Sequence, residues 1–273
     1  MISIITINFN NAKGLEATLQ SVQQQSFSHY EHIVIDGNST DGSKEVIENY
    51  KANFSYWVSE PDHGVYHAMN KGIAVAKGEY LQFLNSGDVL ENTNVLADVA
   101  NEMSDKKDIY YGDLLFVGEG TSKLQTYPDE LGFAYFKNRS LGHPAAFIKK
   151  ELFNRVFYYN ESLKIASDWE FFICAICKYN TSYRHINRVI AKFDTGGISS
   201  KESYQQLIKK EQEEVLVSHF EFYLKEHKQY EEKVRKFQNP PYSKVTQLLK
   251  NRVSKFLLLG FIQFLTFIFP NKK

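Results

Sequence analysis

Four short β-prone runs in the first 84 residues, each closed by polar turn residues and separated by segments of helical spacing, constrain the fold of this chain most. Residues 2–8 form a continuous apolar strand that Asn8-Phe9-Asn10-Asn11 breaks. Ala12 to Gln25 then carries Leu15, Leu19 and Val22 at helical spacing. Glu31 to Ile35 reads as a second strand, ending in Asp36-Gly37-Asn38-Ser39-Thr40-Asp41-Gly42, where Thr40 or Asp41 can cap a helix to about Tyr50. Phe54 to Ser59 is a third strand, Val65 to Ala76 a helix, and Glu79 to Leu84 a fourth strand. Alternation with connections this short predicts an α/β, Rossmann-like, mostly parallel sheet with helices on both faces and right-handed crossovers. Ligands bind such sheets at the carboxyl ends of the strands. Asn85-Ser86-Gly87-Asp88 stands at one of those ends, so the Asp88 carboxylate is placed to take a hard divalent cation whose remaining oxygens come from a diphosphate.

The pattern changes after Asp88. A helix is expected from Asn92 or Thr93 to about Met103, and a strand from Asp108 to Val117 that pairs with Lys123 to Tyr127 as a small antiparallel ribbon. Gly142-His143-Pro144 precedes a short strand, Ala145 to Ile148. Asp168 opens a helix with Ser167 as its cap, and Ser182 to Phe193 is a further strand. Asp194-Thr195-Gly196-Gly197-Ile198-Ser199-Ser200 reads as a flexible loop able to close over a ligand. Cys174 and Cys177 form a C-x-x-C inside a helix-like apolar run, which predicts two buried small hydrophobes rather than a redox or zinc site.

Three regions follow: a catalytic-type domain over 1–200, a charged helical extension over 201–239, and a tail over 240–273 set off by Asn239-Pro240-Pro241. In the tail, Phe256 to Phe269 is apolar right round a helix and is flanked by Lys244, Lys250, Arg252, Lys255, Lys272 and Lys273. Fourteen residues are too few to span a bilayer but suit an interfacial helix with basic anchors, so contact with a membrane surface is expected. The zero formal net charge argues against a nucleic-acid partner. Met1 runs straight into a strand with no basic leader, so the expected location is cytoplasmic, peripheral on the inner face of the cell membrane.

Taken together these segments resemble the family 2 glycosyltransferases, which have the GT-A fold. Residues 2–8 look like the opening strand of that family, and Ile35-Asp36-Gly37-Asn38-Ser39-Thr40-Asp41-Gly42 like its D-G-x-S-x-D-G turn. Glu60 to Gly72 is similar to a segment of the branch that builds bacterial exopolysaccharide and lipopolysaccharide. The resemblance covers about residues 1–200. It implies inverting transfer of a sugar from a nucleotide-diphosphate donor, a UDP-sugar by preference, to a lipid-linked or surface glycan, with Mn²⁺ or Mg²⁺ as cofactor. It assigns donor binding to Thr6, Asn8, Asp36, Asp62, Asn70, Lys71, Ser86 and Gly87, and metal binding to Asp88 and His143. Asp168, in Asp168-Trp169-Glu170, is assigned as the base that takes the acceptor proton, with Glu170 as its competitor. The wider family carries D-x-D where this chain has Asn85-Ser86-Gly87-Asp88, so only the last acid is kept. Two rival readings are a catalytically silent nucleotide-sugar-binding subunit and a nucleotidyltransferase. The second requires a glycine-rich basic loop after the first strand, which Asn8-Phe9-Asn10-Asn11 is not.

Overall fold

β1 (Ile2–Asn8) is buried at every position, because β2 (Tyr30–Asp36) and β4 (Tyr80–Phe83) pair with it in parallel on its two edges and helices cover both faces. The computed structural model describes residues 1–118, 120–197, 202–239 and 242–268. β3 (Tyr56–Ser59) extends the parallel run beyond β2. Side chains alternate across the sheet, so the two pleats meet different helices. On one face Val34 packs with Leu15 and Leu19 of α1 (Ala12–Gln23) and Ile47 of α2 (Ser43–Tyr50). On the other, Ile5 lies against Gly72 of α3 (Val65–Val75), where an added Cβ would come within 2.4 Å of Ile5 Cγ2.

Beyond β4 the sheet becomes mixed. Its order is β3-β2-β1-β4-β8-β6-β9-β5, with β7 (Thr121–Gln125) on β6 (Ile109–Gly118) as the expected antiparallel ribbon. β8 (Ala146–Lys149) is antiparallel to both β4 and β6, while β9 (Tyr183–Asp194) runs parallel to β6. The two-residue β5 (Val89–Leu90) pairs antiparallel with β9, and α4 (Val95–Glu102) follows it. Two single-turn helices, α5 (Phe133–Phe136) and α6 (Leu152–Arg155), precede α7 (Ser167–Cys177), which is buried along most of its length. Burial pushes the Cys174 thiol up to about 12 and that of Cys177 to about 11, as suits packing rather than chemistry.

By compactness the chain divides into residues 1–213 and 214–273. α8 (Gln205–Gln238) crosses that division and is interrupted at Phe220, whose φ of −135° is non-helical. α9 (Tyr242–Lys250) and α10 (Arg252–Ile268) follow, and no residue of either is buried. Phe256 and Phe267 of α10 are 79% and 86% exposed. Among the described residues no helix is long and apolar enough to cross a membrane. Ser199, Ser200 and Phe269, part of the expected loop and tail, lie outside the described residues.

Candidate active site

The Asn85–Asp88 turn is held from three sides. Leu84 N–H and Ser86 N–H donate to Ile5 and Ile7 carbonyls at 2.9 and 3.0 Å, continuing the β1–β4 ladder. Asn11 Nδ2 donates to the Ser86 carbonyl at 3.0 Å. The Thr18 hydroxyl of α1 accepts from Gly87 N–H at 3.0 Å and donates to the Asp88 carbonyl at 2.7 Å. Gly87 has a φ of +106°, and a Cβ there would lie 2.8 Å from Asp194 Oδ2, so glycine is required on both counts. The β5–β9 pairing brings the end of β9 alongside, and Asp194 N–H donates to Asp88 Oδ1 at 3.0 Å. Burial pushes the Asp88 carboxyl up to about 7, against the lowering effect of His143 and of the Asp194 N–H.

A cavity of about 710 Å³ opens on this turn, with Ser86, Asp88, His143, Asp168 and Asp194 among its lining residues. Four side chains form a chain of contacts across it. Asn85 Nδ2 donates to His143 Nε2 at 3.1 Å, and His143 Nδ1 donates to Asp168 Oδ2 at 3.2 Å. The other oxygen, Asp168 Oδ1, lies 3.0 Å from the Tyr66 hydroxyl, whose single proton it shares with the Ile165 carbonyl at 2.5 Å. Asp168 sits in the first turn of α7 and also receives Trp169 N–H at 2.9 Å. Burial, reinforced by the Asp168 charge, raises the Tyr66 hydroxyl well above its usual range, so it stays a neutral donor. The result is a half-buried carboxylate oriented by an imidazole and a phenol, with one lone pair, on Oδ2, left to accept a proton from a ligand in the cavity.

Several expected contacts are used elsewhere. Thr6 is fully buried and its hydroxyl pairs with His32 Nε2 at 3.0 Å, on the pleat that faces α1 and α2. Burial drops His32 to about 3, so it is neutral. Asn8 is 1% exposed and its Nδ2 donates to Asp36 Oδ1 at 2.6 Å. Asp36 is itself closed off. Burial would raise its carboxyl, but hydrogen bonds from Ser39, Ser59 and Asn8 outweigh that and hold it low. Every lone pair of Asp36 is spent on the protein, so it organises the turn rather than offering an acceptor. Asn70 clamps residues 159–161 through Tyr159 and Glu161, and Lys71 braces the turn before α3 through Pro61 and Glu60. Neither lines the cavity, and Asp62 lies outside it over Gly37, 2.6 Å from where a Cβ would stand. Glu170 is buried about 200° round the helix from Asp168 and does not line the cavity either. His143 has both ring nitrogens engaged, so it cannot ligate a cation without breaking the chain that orients Asp168.

Comparison with known proteins decides the family. The model of glycosyl transferase family 2 matches residues 3–162. This chain is a family 2 glycosyltransferase. An uncharacterized glycosyltransferase of Mycobacterium tuberculosis (strain CDC 1551 / Oshkosh) is 35% identical over 209 residues, covering 73% of this chain and 77% of its own. A PGL/p-HBAD biosynthesis glycosyltransferase of Mycobacterium bovis (strain BCG / Pasteur 1173P2) is 31% identical over 206 residues, covering 73% and 79%. Among solved structures, S. aureus TarS superposes with a TM-score of 0.61 at 22% identity, over 71% of this glycosyltransferase but only 36% of the TarS chain. A mannosyltransferase from Pyrobaculum calidifontis, in complex with GDP-Man and Mn²⁺, superposes with a TM-score of 0.54 at 17% identity, over 70% and 56%. These likenesses show that the enzyme has the GT-A fold.

Sequence reasoning passed over Tyr66, Asp194 and Phe9 as site residues. Tyr66 carried a signal, since it shares a helix face with Asn70, but its partner is 102 residues away. Asp194 read as a loop residue until β5 paired with β9. Phe9, 65% exposed at the mouth of the cavity, read only as a strand breaker.

Proposed function

We propose that this glycosyltransferase moves a sugar from a UDP-sugar to a hydroxyl of a lipid-linked or surface-glycan acceptor, with inversion, and that Asp168 is the base. In that reaction the acceptor O–H gives its proton to Asp168. A new C–O bond forms at the anomeric carbon, while the bond to the diphosphate breaks and its electron pair leaves with the diphosphate. The observation that carries this reading is the Asn85–His143–Asp168–Tyr66 chain beside Asp88 in one cavity. His143 and Tyr66 fix both carboxylate oxygens, which leaves Asp168 one orientation toward the acceptor.

The donor diphosphate is read as lying at Ser86, Gly87 and Asp88, and the base on Phe9, with the Asp62 carboxylate beside Gly37 to receive its ring N–H. Asp88 with Asp194 would hold Mn²⁺ or Mg²⁺. Both are hard oxygen donors, they adjoin each other, and the buried Asp88 carboxylate is short of compensating charge. Among the described residues no cluster of three metal-ligating side chains occurs, so donor oxygens would have to complete the coordination. When bound, the cation supplies charge stabilisation to the departing diphosphate. The PGL/p-HBAD biosynthesis relative and the TarS complex with UDP-GlcNAc support glycolipid or polysaccharide synthesis and a UDP donor.

Residues 240–273 are read as the part that rests on the inner face of the cell membrane. α10 exposes Phe256, Leu257, Phe261, Phe264 and Phe267 together with flanking lysines, as an interfacial helix does on anionic lipid. A screen of nucleotide sugars for thermal protection, with and without Mn²⁺, tests the donor, and NMR of the product tests inversion. Co-sedimentation of the full chain with anionic but not zwitterionic vesicles tests the tail. Protection by GDP-sugars alone, a retained anomeric configuration, or a chain that ignores anionic vesicles would each refute the corresponding part.

A further inference from the structure

The cavity has a second wall that the donor does not explain. Leu114 and Phe116 are two apart on β6 and so point to the same face, and Phe116 is in register with Phe193 of β9. The two rings are 5.0 Å apart at 56°, and both remain partly open to the cavity. Leu114 closes directly on the backbone of Gly142, where an added Cβ would meet Leu114 Cδ1 at 2.2 Å. The next residue is His143, which touches Asp168. Leu114 is itself fully buried, so it sets the spacing between the two half-open rings and Gly142–His143 rather than adding surface. In the sheet order the wall lies past β8, on β6 and β9, whereas the Asn85–Asp88 turn follows β4. The wall meets that turn where Asp194, the residue after Phe193, donates its N–H to Asp88 at 3.0 Å.

A glycan resting on that wall would find few partners. Phe116, Phe193 and Ile208 offer no hydrogen-bonding side-chain group; of the polar residues that also line the cavity, Ser140 already donates to the Leu141 carbonyl at 2.9 Å and Tyr127 already accepts from Gly142 N–H at 3.0 Å. Sugar hydroxyls stripped of water there would be left unpaired, while an aryl or alkyl group would gain from the same burial. We propose that the wall is an acceptor subsite for an apolar aglycone, which lies on Phe116 and Phe193 while its hydroxyl, or that of the sugar it carries, reaches Asp168. This rests on the reading of Asp168 as the base facing the acceptor, and it narrows the acceptor class within that reading.

The test compares phenyl β-D-glucopyranoside with methyl β-D-glucopyranoside, two probes that differ only in aglycone, binding to the full chain in the presence of UDP. Saturation-transfer NMR should show the phenyl protons as the main contact, and the phenyl glucoside should bind about tenfold tighter or better. Phe116→Ser and Phe193→Ser should each bring the two probes to within about threefold, whereas Phe116→Leu, which keeps an apolar surface, should retain most of the preference. UDP affinity serves as the check that each variant is folded. Equal affinity of the two glucosides, or a preference that survives both serine substitutions, would overturn the proposal. A retained phenyl preference in a chain that binds no UDP would instead count against the donor reading and leave the subsite standing.

Discussion

Glu211 should prove to be the support on which the base depends, although it touches no ligand. It is 5% exposed at the start of α8, and its carboxylate accepts three consecutive backbone N–H groups: Lys164 at 2.8 Å, Ile165 at 3.0 Å and Ala166 at 3.0 Å. That segment leads directly into α7 and Asp168, and the Ile165 carbonyl is the partner of Tyr66. Glu211→Ala would leave three donors unpaired, at about 1–3 kcal/mol for each that water cannot reach. With partial access by water the loss should come to about 3–5 kcal/mol, a large share of the 5–15 kcal/mol that holds a typical domain together. Glu211→Gln keeps one carbonyl for Ile165 and Ala166 but turns an amide toward the Lys164 N–H, so about 1–2 kcal/mol should go. Urea unfolding followed by Trp169 fluorescence measures both, and hydrogen exchange at residues 164–166 localises the effect. In Glu211→Gln, kcat should fall more than KM changes, because Asp168, the proposed base, is displaced from the acceptor. A Glu211→Ala chain within 1 kcal/mol of wild type, with unchanged exchange at those amides, would refute the reasoning.

Three further outcomes are expected. Asp168→Asn should lower kcat by about 10²–10⁴-fold with donor binding intact, while Glu170→Gln, facing away from the cavity, should keep most activity; the reverse result moves the base to Glu170. Asn85→Asp restores the acid common in the wider family, yet the contacts argue against a gain. Asp168 can only accept, so His143 Nδ1 donates to it and His143 Nε2 receives the Asn85 amide N–H. A carboxylate at 85 has no proton to donate, so that hydrogen bond is lost and the imidazole is held less firmly against Asp168. kcat should fall relative to wild type, and an Asn85→Asp chain with equal or higher kcat would reject the argument. Stability should also carry the signature of Asp88. With its carboxyl up near 7, the folded state binds more protons than the unfolded state above about pH 4, so stability falls as pH rises from 4 to 7. The loss between pH 5 and pH 8 is about 3 kcal/mol. His32, held near 3, acts in the opposite sense between pH 3 and 6.5. The difference between wild type and Asp88→Asn isolates the first effect, and a difference that does not vary with pH would exclude it.

The fold was legible in the sequence because its signals are local. Short β-prone runs closed by polar turn residues, alternating with helical spacing, are read over ten residues at a time, and β1 to β4 appear where those runs lie. Asp88 could be placed at a strand end for the same reason. The site was legible only in part, because its chemistry depends on which atoms face one another across long separations. Asp36 and Asp168 both read as acids at element ends. In the folded chain, Asn8, Ser39 and Ser59 from two neighbouring strands and their turn saturate Asp36, whereas Asp168, which lines the cavity, keeps one lone pair unclaimed. Thr6 was lost to the site by strand parity, which turns its hydroxyl toward His32. Asp194 was gained because a two-residue strand, too short to announce itself in sequence, pairs with β9. His143 reads in sequence as a metal ligand, and only the fold brings its two nitrogens against Asn85 and Asp168, 58 and 25 residues away. Composition and periodicity determine which residues can form a strand end, but a side chain's free hydrogen-bonding capacity is what remains after tertiary neighbours have claimed their share. Only packing decides that remainder.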